Sequence, residues 1–433
     1  MTGVRRVLVL GGYGLIGSAC LRALKAQGFE VTGMGRSARS AEAVAPDIHW
    51  HIRDIGQVSV DDWRVLLDGV DAVVNASGAL QDGARDDLEA IHVTALSRIA
   101  GAAEGRALRF VQISAAGVSE IAGTEFFRSK ARGDAVVAGM ADHVILRPTL
   151  VLAPEAYGGT ALLRAACAMP GVMPRILPDA PVQTVFIDDL AAAVVAAVRG
   201  DVTSGLVADL TGPEVWTFPD LSTRIRRWLG LPPAPWTPSV PYPLLRIGGA
   251  MADALGHLGW RSPLRTTALK ALAEGIRGDP AVWNAAGAHP CRGLEATLAA
   301  MPATRQDVTY ARMFLALPLA IGVLALFWLV SGLVALADPG AAAEVLTSRG
   351  TNGALAMVLV LGGAVTDIAL GAAILWRRAT RLAAAGMVAV SLAYMAGAAL
   401  LAPDLWADPL GAMVKVIPGM ALAIVVWLGL ETR

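Results

Sequence analysis

Cysteine is scarce in this chain. There are three in 433 residues, Cys20, Cys167 and Cys291, and none forms a CxxC pair. That excludes a disulfide framework and reads as reduced thiols. The six histidines are scattered, with no HxxxH and no Cys/His spacing, so no metal site is expected. Charged residues make up only 17% and the formal net charge is zero, which removes the electrostatic case for a nucleic-acid partner. No internal repeat or low-complexity tract stands out in the first 300 residues.

Apolar residues, at 55%, take the place of charge. They concentrate in four runs: Met313–Leu336, Ala354–Trp376, Leu382–Leu401 and Leu410–Leu430. A helix rises about 1.5 Å per residue, so roughly 20 apolar residues cross the hydrocarbon core of a bilayer. The alternative is a buried bundle in a soluble protein. Such helices keep a polar stripe, and Ala320–Val330 has neither charge nor stripe. Four transmembrane helices, 313–336, 354–376, 382–401 and 410–430, are therefore expected, with the lipid bilayer as a partner.

The loops give an orientation. Arg305 and Arg312 precede the first run, and Arg377, Arg378 and Arg381 follow the second. The other two loops carry Asp338, Glu344 and Arg349, then Asp404 and Asp408. Lys and Arg stay on the cytoplasmic side. The expected place is the inner (cytoplasmic) membrane, multi-pass, with the N-terminal domain and C-terminus in the cytoplasm. Two charges fall within runs: Asp367 midway along the second and Lys415 about five residues into the fourth. Intramembrane charges are usually inward-facing and functional. Lys415 would have to reach inward to pair with Asp367, and it can equally snorkel outward.

The amino terminus superficially resembles a secretory signal, with Arg5-Arg6 ahead of an apolar stretch. Gly11, Gly12, Gly14 and Gly17 break that stretch, and regular strand and helix patterns follow it. Val7–Leu10 suits a buried parallel strand. Gly11-Gly12-Tyr13-Gly14-Leu15-Ile16-Gly17 then leads into a helix, followed by a second strand, Glu30–Met34. Glycine allows a sharp turn and close approach of backbone amides to a pyrophosphate, which the helix N-terminus also attracts. NAD binders usually place an acid after the second strand, whereas Arg36 stands here and can pair with a 2′-phosphate. NADP(H) is favoured over NAD(H), with Arg39 as added charge. The alternative leaves Arg36 a solvated loop residue.

Alternation continues. Strands are expected at Ile48–Ile52, Ala72–Asn75, Ala107–Ile113 and Val144–Leu146. Helices are expected at Val60–Leu67, Asp86–Ala103 and Thr124–Met140. This spacing means a doubly wound parallel sheet with ligands at the strand C-termini. Further on, Thr184–Asp189 reads as a strand entering a helix at Leu190–Arg199 that Asp188 and Asp189 cap. Leu231–Pro243, with six prolines, cannot be regular. Leu244–Trp260 reads as core, pocket roof or membrane-surface segment. Trp216–Leu229, Ser262–Leu272 and Gly293–Met301 read as helices.

Gly11, Gly14 and Gly17, Asp54 after the third strand, Asn75–Gly78 after the fourth, Arg147-Pro148 and Val185–Ala191 together resemble the short-chain dehydrogenase/reductase superfamily. The resemblance covers roughly residues 4–300 and is strongest to the extended or atypical NmrA-like and complex-I-subunit-like members. It implies an α/β fold, a Rossmann-type doubly wound parallel sheet with a small substrate-side cap, and the four apolar runs that come after it are expected as a four-helix transmembrane bundle. It also implies that the glycine loop holds the pyrophosphate, Asp54 reaches the adenine, and Ala76, Ser77 and Gly78 line the cofactor cleft. The last 120 residues resemble the DoxX-like membrane family. The expected division is 1–305 for the nucleotide domain, with its cap mostly in 150–305, and 306–433 for the membrane domain.

Reactive members of the superfamily use a Tyr four residues before a Lys, with a Ser ending the fifth strand. Lys130 and Ser114 match as catalytic candidates, Lys130 also touching the cofactor, but the Tyr position is Phe126 and His92 stands where many members have Asn. A phenyl ring exchanges no proton. Three readings compete. Lys130 and Ser114 hold the cofactor while Glu125, His92 or water moves the proton; the domain binds NADP(H) without turnover; or Lys130 is a solvated residue on an amphipathic helix. The expected activity is a membrane reductase acting on a hydrophobic or quinone-like small molecule. A regulator or assembly factor of a membrane complex is the alternative.

Overall fold

The computed structural model describes residues 5–79, 87–260, 262–409 and 411–430. They form two compact units, Met1–Asp253 with Ser262–Ala311, and Ala254–Arg261 with Arg312–Arg433.

The first unit is a βα alternation: β1 (Arg6–Leu10), α1 (Leu15–Ala26), β2 (Glu30–Gly35), α2 (Ala38–Val44), β3 (His49–Ile52), α3 (Val60–Leu66) and β4 (Ala72–Asn75). It continues with α4 (Ala95–Ala103), β5 (Arg109–Ile113), α5 (Glu125–Ala138) and β6 (His143–Pro148). Next come β7 (Leu150–Leu152), α6 (Gly158–Cys167), β8 (Pro181–Val182), β9 (Thr184–Phe186), α7 (Ile187–Arg199) and β10 (Leu206–Leu210). Seven strands pair in the order β10-β6-β5-β4-β1-β2-β3, all parallel. Chain order reverses between β1 and β4, so their carboxyl ends open a crevice, the usual ligand position in such sheets. Val7, Leu8, Val9 and Leu10 are all at most 1% exposed, because helices cover both faces of a parallel sheet.

The helix expected from Asp86 begins outside the described residues. Its observed part contains a π-turn at Ala90–Thr94 ahead of α4. Such one-residue expansions recur at functional sites. The expected capping by Asp188 and Asp189 is corrected. α7 starts at Ile187 without a side-chain cap, and Asp189 instead pairs with Arg292 at 2.8 Å. Acids in that first turn still favour the helix dipole.

The rest of the first unit holds two small two-stranded sheets, β7 with β9 and β8 with β11 (Trp216–Thr217). It also holds α8 (Phe218–Trp228), most of α9 (Tyr242–His257), α10 (Thr266–Ala273), α11 (Ala281–Ala285) and α12 (Leu294–Ala300). The proline-rich stretch is irregular through Pro241, but its last two residues, Tyr242 and Pro243, open α9.

In the second unit, α13 (Arg305–Ala337), whose first seven residues belong to the first unit, α15 (Gly353–Ala373) and α16 (Thr380–Leu401) are long and apolar enough to cross a membrane. α14 (Pro339–Thr347), not expected from the sequence, starts at Asp338, whose carboxylate accepts from the Ala341 amide at 2.9 Å. The fourth expected span is corrected. Leu410 lies outside the described residues, turns occupy 412–415, and only Val416–Gly429 (α17) is helical, short of the length of the other three. Pro409 and Gly411, with φ +65°, delay the start. Pro418 then sits in the first turn, where its missing N–H costs no bond.

Candidate functional site

Backbone geometry makes the glycine loop. Gly11 has φ +68°, and a Cβ there would come within 2.8 Å of the Ala76 carbonyl oxygen. A Cβ on Gly17 would collide with the Gly11 carbonyl oxygen. The Gly14 amide donates to that same oxygen at 2.9 Å, closing the turn. Gly14 is the N-cap of α1 and offers no side-chain cap, so the first amides of α1 keep free donors for an anion. Leu15 and Ile16 pack into the core beneath and fix the helix start. Gly12 lies against Leu21 and Trp50.

The end of β2 has a demand the sequence hid. A Cβ on Gly35 would strike the Tyr13 ring, and one on Gly33 would strike Trp50. The Tyr13 hydroxyl accepts from the Arg36 amide at 2.9 Å, which ties the glycine loop to the residue expected to choose the cofactor. The Arg36 guanidinium lies 3.9 Å from the Asp54 carboxylate, each side chain 39% exposed. Asp54 also accepts from the Gly56 amide at 3.0 Å. Arg36 and Asp54 therefore sit together at one edge of the crevice.

Across the crevice, Asn75 ends β4. Its amide donates to Gln112 at 2.8 Å and its carbonyl oxygen accepts from the Ser77 amide at 3.1 Å, shaping Ala76–Gly78. His92 and Lys130 converge on Gly78. The position a Gly78 Cβ would take is 3.5 Å from His92 Nε2 and 3.8 Å from Lys130 Nζ. The Ala79 amide donates to His92 Nε2 at 3.3 Å, so His92 Nδ1 carries the proton and donates to Ser129 Oγ at 2.9 Å. Burial, helped by Lys130 and Arg132, pushes His92 down to about 3 and keeps it neutral. The wide turn brings the His92 carbonyl onto α5, where a Cβ on Gly133 would collide with it.

Lys130 is 6% exposed, and its ammonium donates to the Ile113 carbonyl at 3.2 Å. The solvated-residue reading of Lys130 is therefore wrong. Burial pushes it down to about 8, with Asp134 opposing. The Phe126 ring stands 5.7 Å from Lys130 Nζ and 6.0 Å from the His92 ring, so the apolar substitute occupies the corner where the phenol would be.

Sequence reasoning missed Asp134 and Ser129. Ser114 Oγ donates to Asp134 at 2.8 Å, and Arg147 grips the same Asp134 oxygen at 2.9 and 3.1 Å. Asp134 lies four residues after Lys130 on α5, a spacing that places both on one face. Glu125, the other proposed acid, is held by Arg132 at 2.6 Å and Arg128 at 2.8 Å. Its carboxyl lies below the usual range, Arg132 being the main cause, so it is a poor proton donor.

Within the second unit, Asp367 joins three helices. It accepts from Tyr394 of α16 at 2.7 Å and from Ser331 of α13 at 2.9 Å. The Asp367–Lys415 pair does not form. Lys415 is exposed and directly precedes α17. Among the described residues no cluster of metal-ligating groups exists.

Fold and crevice define a dinucleotide-binding Rossmann domain, followed in the chain by helices long and apolar enough to cross a membrane. Comparison with known proteins agrees. Residues 11–162 match the NAD(P)H-binding family and residues 325–424 the DoxX-like family. NADH dehydrogenase (ubiquinone) 1 alpha subcomplex subunit 9, mitochondrial, of Arabidopsis thaliana is 23% identical over 276 residues, 57% of this chain. The chain spans 62% of that relative's length. Among solved structures, WbmG of Bordetella bronchiseptica in complex with NAD has a TM-score of 0.52 at 17% identity, covering 69% of this chain and 93% of WbmG. WbmH of the same organism, in complex with NAD+, has 0.53 at 21%, covering 72% and 99%. The UDP-glucose 4-epimerase of Thermotoga maritima has 0.52 at 15%, covering 72% and 99%. These likenesses establish the fold.

Proposed function

We propose that this protein is a membrane-anchored NADP(H)-dependent reductase of a hydrophobic or quinone-like acceptor. The carrying observation is the corner at Gly78. A buried lysine and a neutral histidine converge there beside Phe126, without a phenol.

A nicotinamide dinucleotide fits the crevice. Gly11 and Gly17 let the loop close tightly on itself and on Ala76, where any Cβ would strike backbone, and the uncapped start of α1 offers donors. The backbone of Gly11, Gly12, Tyr13, Gly14, Leu15, Ile16 and Gly17 takes the pyrophosphate. Asp54 takes the adenine, Arg36 the 2′-phosphate, and Ala76, Ser77 and Gly78 the nicotinamide half. When bound, NADPH supplies a hydride. Lys130 holds the nicotinamide ribose, and His92 positions Ser129 and the Gly78 turn. The Ser114 proton is committed to Asp134, so Ser114 is poorly placed to polarise a carbonyl. With neither phenol nor free hydroxyl donor, the site suits an acceptor that needs little proton catalysis, which a quinone does.

In this reading 1–305 is the nucleotide and cap domain and 306–433 the membrane domain, in the inner membrane with the first domain cytoplasmic. Supporting the alternation, Arg349 before α15 and Asp404 after α16 pair at 2.6 Å, which puts those two loops on one side. The basic residues 377, 378 and 381 mark the other side.

A second reading, a nonenzymatic NADP(H)-dependent regulator or assembly factor of a membrane complex, is favoured by Phe126 and by a relative named as a complex subunit. Turnover separates the two. Full-length protein in lipid vesicles is mixed with NADPH and panels of quinones and simple carbonyls. Oxidation with quinones alone supports the reductase. NADPH bound but unoxidised by every acceptor, with carbonyl reduction emerging in Phe126→Tyr, supports the binding role.

A further inference from the structure

We propose that α9 is an interfacial helix, lying in the headgroup region of the bilayer with its exposed apolar face in the acyl boundary. Leu244, Ile247, Met251, Leu255 and Leu258 are 58%, 58%, 64%, 41% and 38% exposed. At about 100° per residue they share one arc of roughly 80°. Leu245, Gly249 and Ala252 are buried on a second face, where Gly249 lies against Leu269 and Thr266. Arg246, Asp253 and His257 fall on a third face, opposite the exposed stripe. A helix of a soluble surface exposes its polar face. This one exposes a continuous apolar stripe as well, which in water is an unsatisfied patch.

The occupant is lipid because of what the end of the helix touches. Ala254–Arg261 belongs to the unit of membrane helices. Within that unit, Trp260 Nε1 donates to the Leu375 carbonyl at 2.6 Å, and the Arg377 amide donates to the Leu258 carbonyl at 3.1 Å. The Arg377 guanidinium stands 5.6 Å from the Trp260 ring centroid. Residues 375–378 are where the second apolar run gives way to arginine, the level at which a span leaves hydrocarbon. Tryptophan and arginine are the residues that prefer that level. Residues 254–260, which hold the last turn of α9 with Leu255 and Leu258 of the stripe, are thereby fixed at the level where the span leaves hydrocarbon.

Cys20, Cys167 and Cys291 are buried, so single added cysteines on α9 can be labelled selectively with a nitroxide. Full-length protein carrying I247C, M251C or L255C on the stripe, or R246C or H257C on the polar face, is placed in lipid vesicles. Collisions with oxygen, which concentrates in lipid, and with a water-soluble nickel chelate are measured. The expected result is an oxygen-to-nickel ratio several-fold higher on the stripe than on the polar face. Equal nickel access at all five sites overturns the proposal by leaving the helix in water. Exclusion of both reagents from the stripe also overturns it, since protein then covers the face.

Discussion

The glycine loop and the membrane helices use the same residue for opposite purposes. In the first unit, Gly11, Gly17, Gly33 and Gly35 each sit where a methyl group would strike a named backbone or ring atom. In the second unit, Gly322, Gly362 and Gly397 have nothing within 4 Å of a would-be Cβ, although Gly332 would meet the Ala364 carbonyl at 2.6 Å. A ligand crevice is specified atom by atom, whereas a lipid-facing helix is specified mostly by length and apolarity. Gly332, Gly371, whose Cβ would meet the Leu329 backbone nitrogen at 2.9 Å, and the Asp367 junction are places where the membrane unit is as exacting as the crevice.

The contrast is sharpest at Gly17. Gly17→Ala forces the loop open and is expected to cost about 1–3 kcal/mol in stability. It should also abolish NADPH binding, read by thermal denaturation and by titration; normal binding would show that the loop is not the pyrophosphate site. Lys130 gives the next largest effect. With its amine at about 8 in the folded protein against 10.5 ordinarily, the unfolded chain holds more protons between those values. Stability should therefore rise with pH through that window, by roughly 3 kcal/mol, and Lys130→Met should flatten the rise.

Arg36→Ala should weaken NADPH about tenfold, or about 1.4 kcal/mol, and leave NADH nearly unchanged. Equal losses for both nucleotides would remove the 2′-phosphate role. Asp367→Leu leaves the Tyr394 and Ser331 hydroxyls without their shared acceptor and should cost about 1 kcal/mol, measured by thermal stability in detergent. Gly362→Ala should change neither stability nor binding, and a clear loss there would show that this helix face has a partner.

Much of this contrast was legible in the order of residues. β1, the glycine turn and α1 follow from four apolar residues, four glycines and an apolar helix, and strand–helix alternation fixes a parallel sheet. Three apolar runs emerged as helices of spanning length, the second and third within a few residues of expectation and the first starting eight residues early, at Arg305. The unread parts depend on contacts across the chain. Gly33 and Gly35 look like ordinary strand residues until Trp50 and Tyr13 are folded onto them. Ser114 reads as a catalytic hydroxyl from the sequence, which does not show that it donates a hydrogen bond to Asp134. Lys415 counts as intramembrane only if its run is helical from the first residue, and Pro409 with Gly411 prevents that. Asp188 and Asp189 have the chemistry of caps, but tertiary pairing with Arg292 claimed Asp189.

The π-turn at Ala90–Thr94 has one more consequence. An ordinary turn advances each side chain by about 100°, so an extra residue swings everything upstream by that much relative to everything downstream. After the turn, Ala95, Leu96 and Ile99 are buried in the core, while His92 within it is aimed at Ser129 on α5. His92 and Leu96 both reach Gly133 of α5, and removing a single residue from the wide turn would rotate the imidazole away from Ser129 while leaving Ala95, Leu96 and Ile99 in the core.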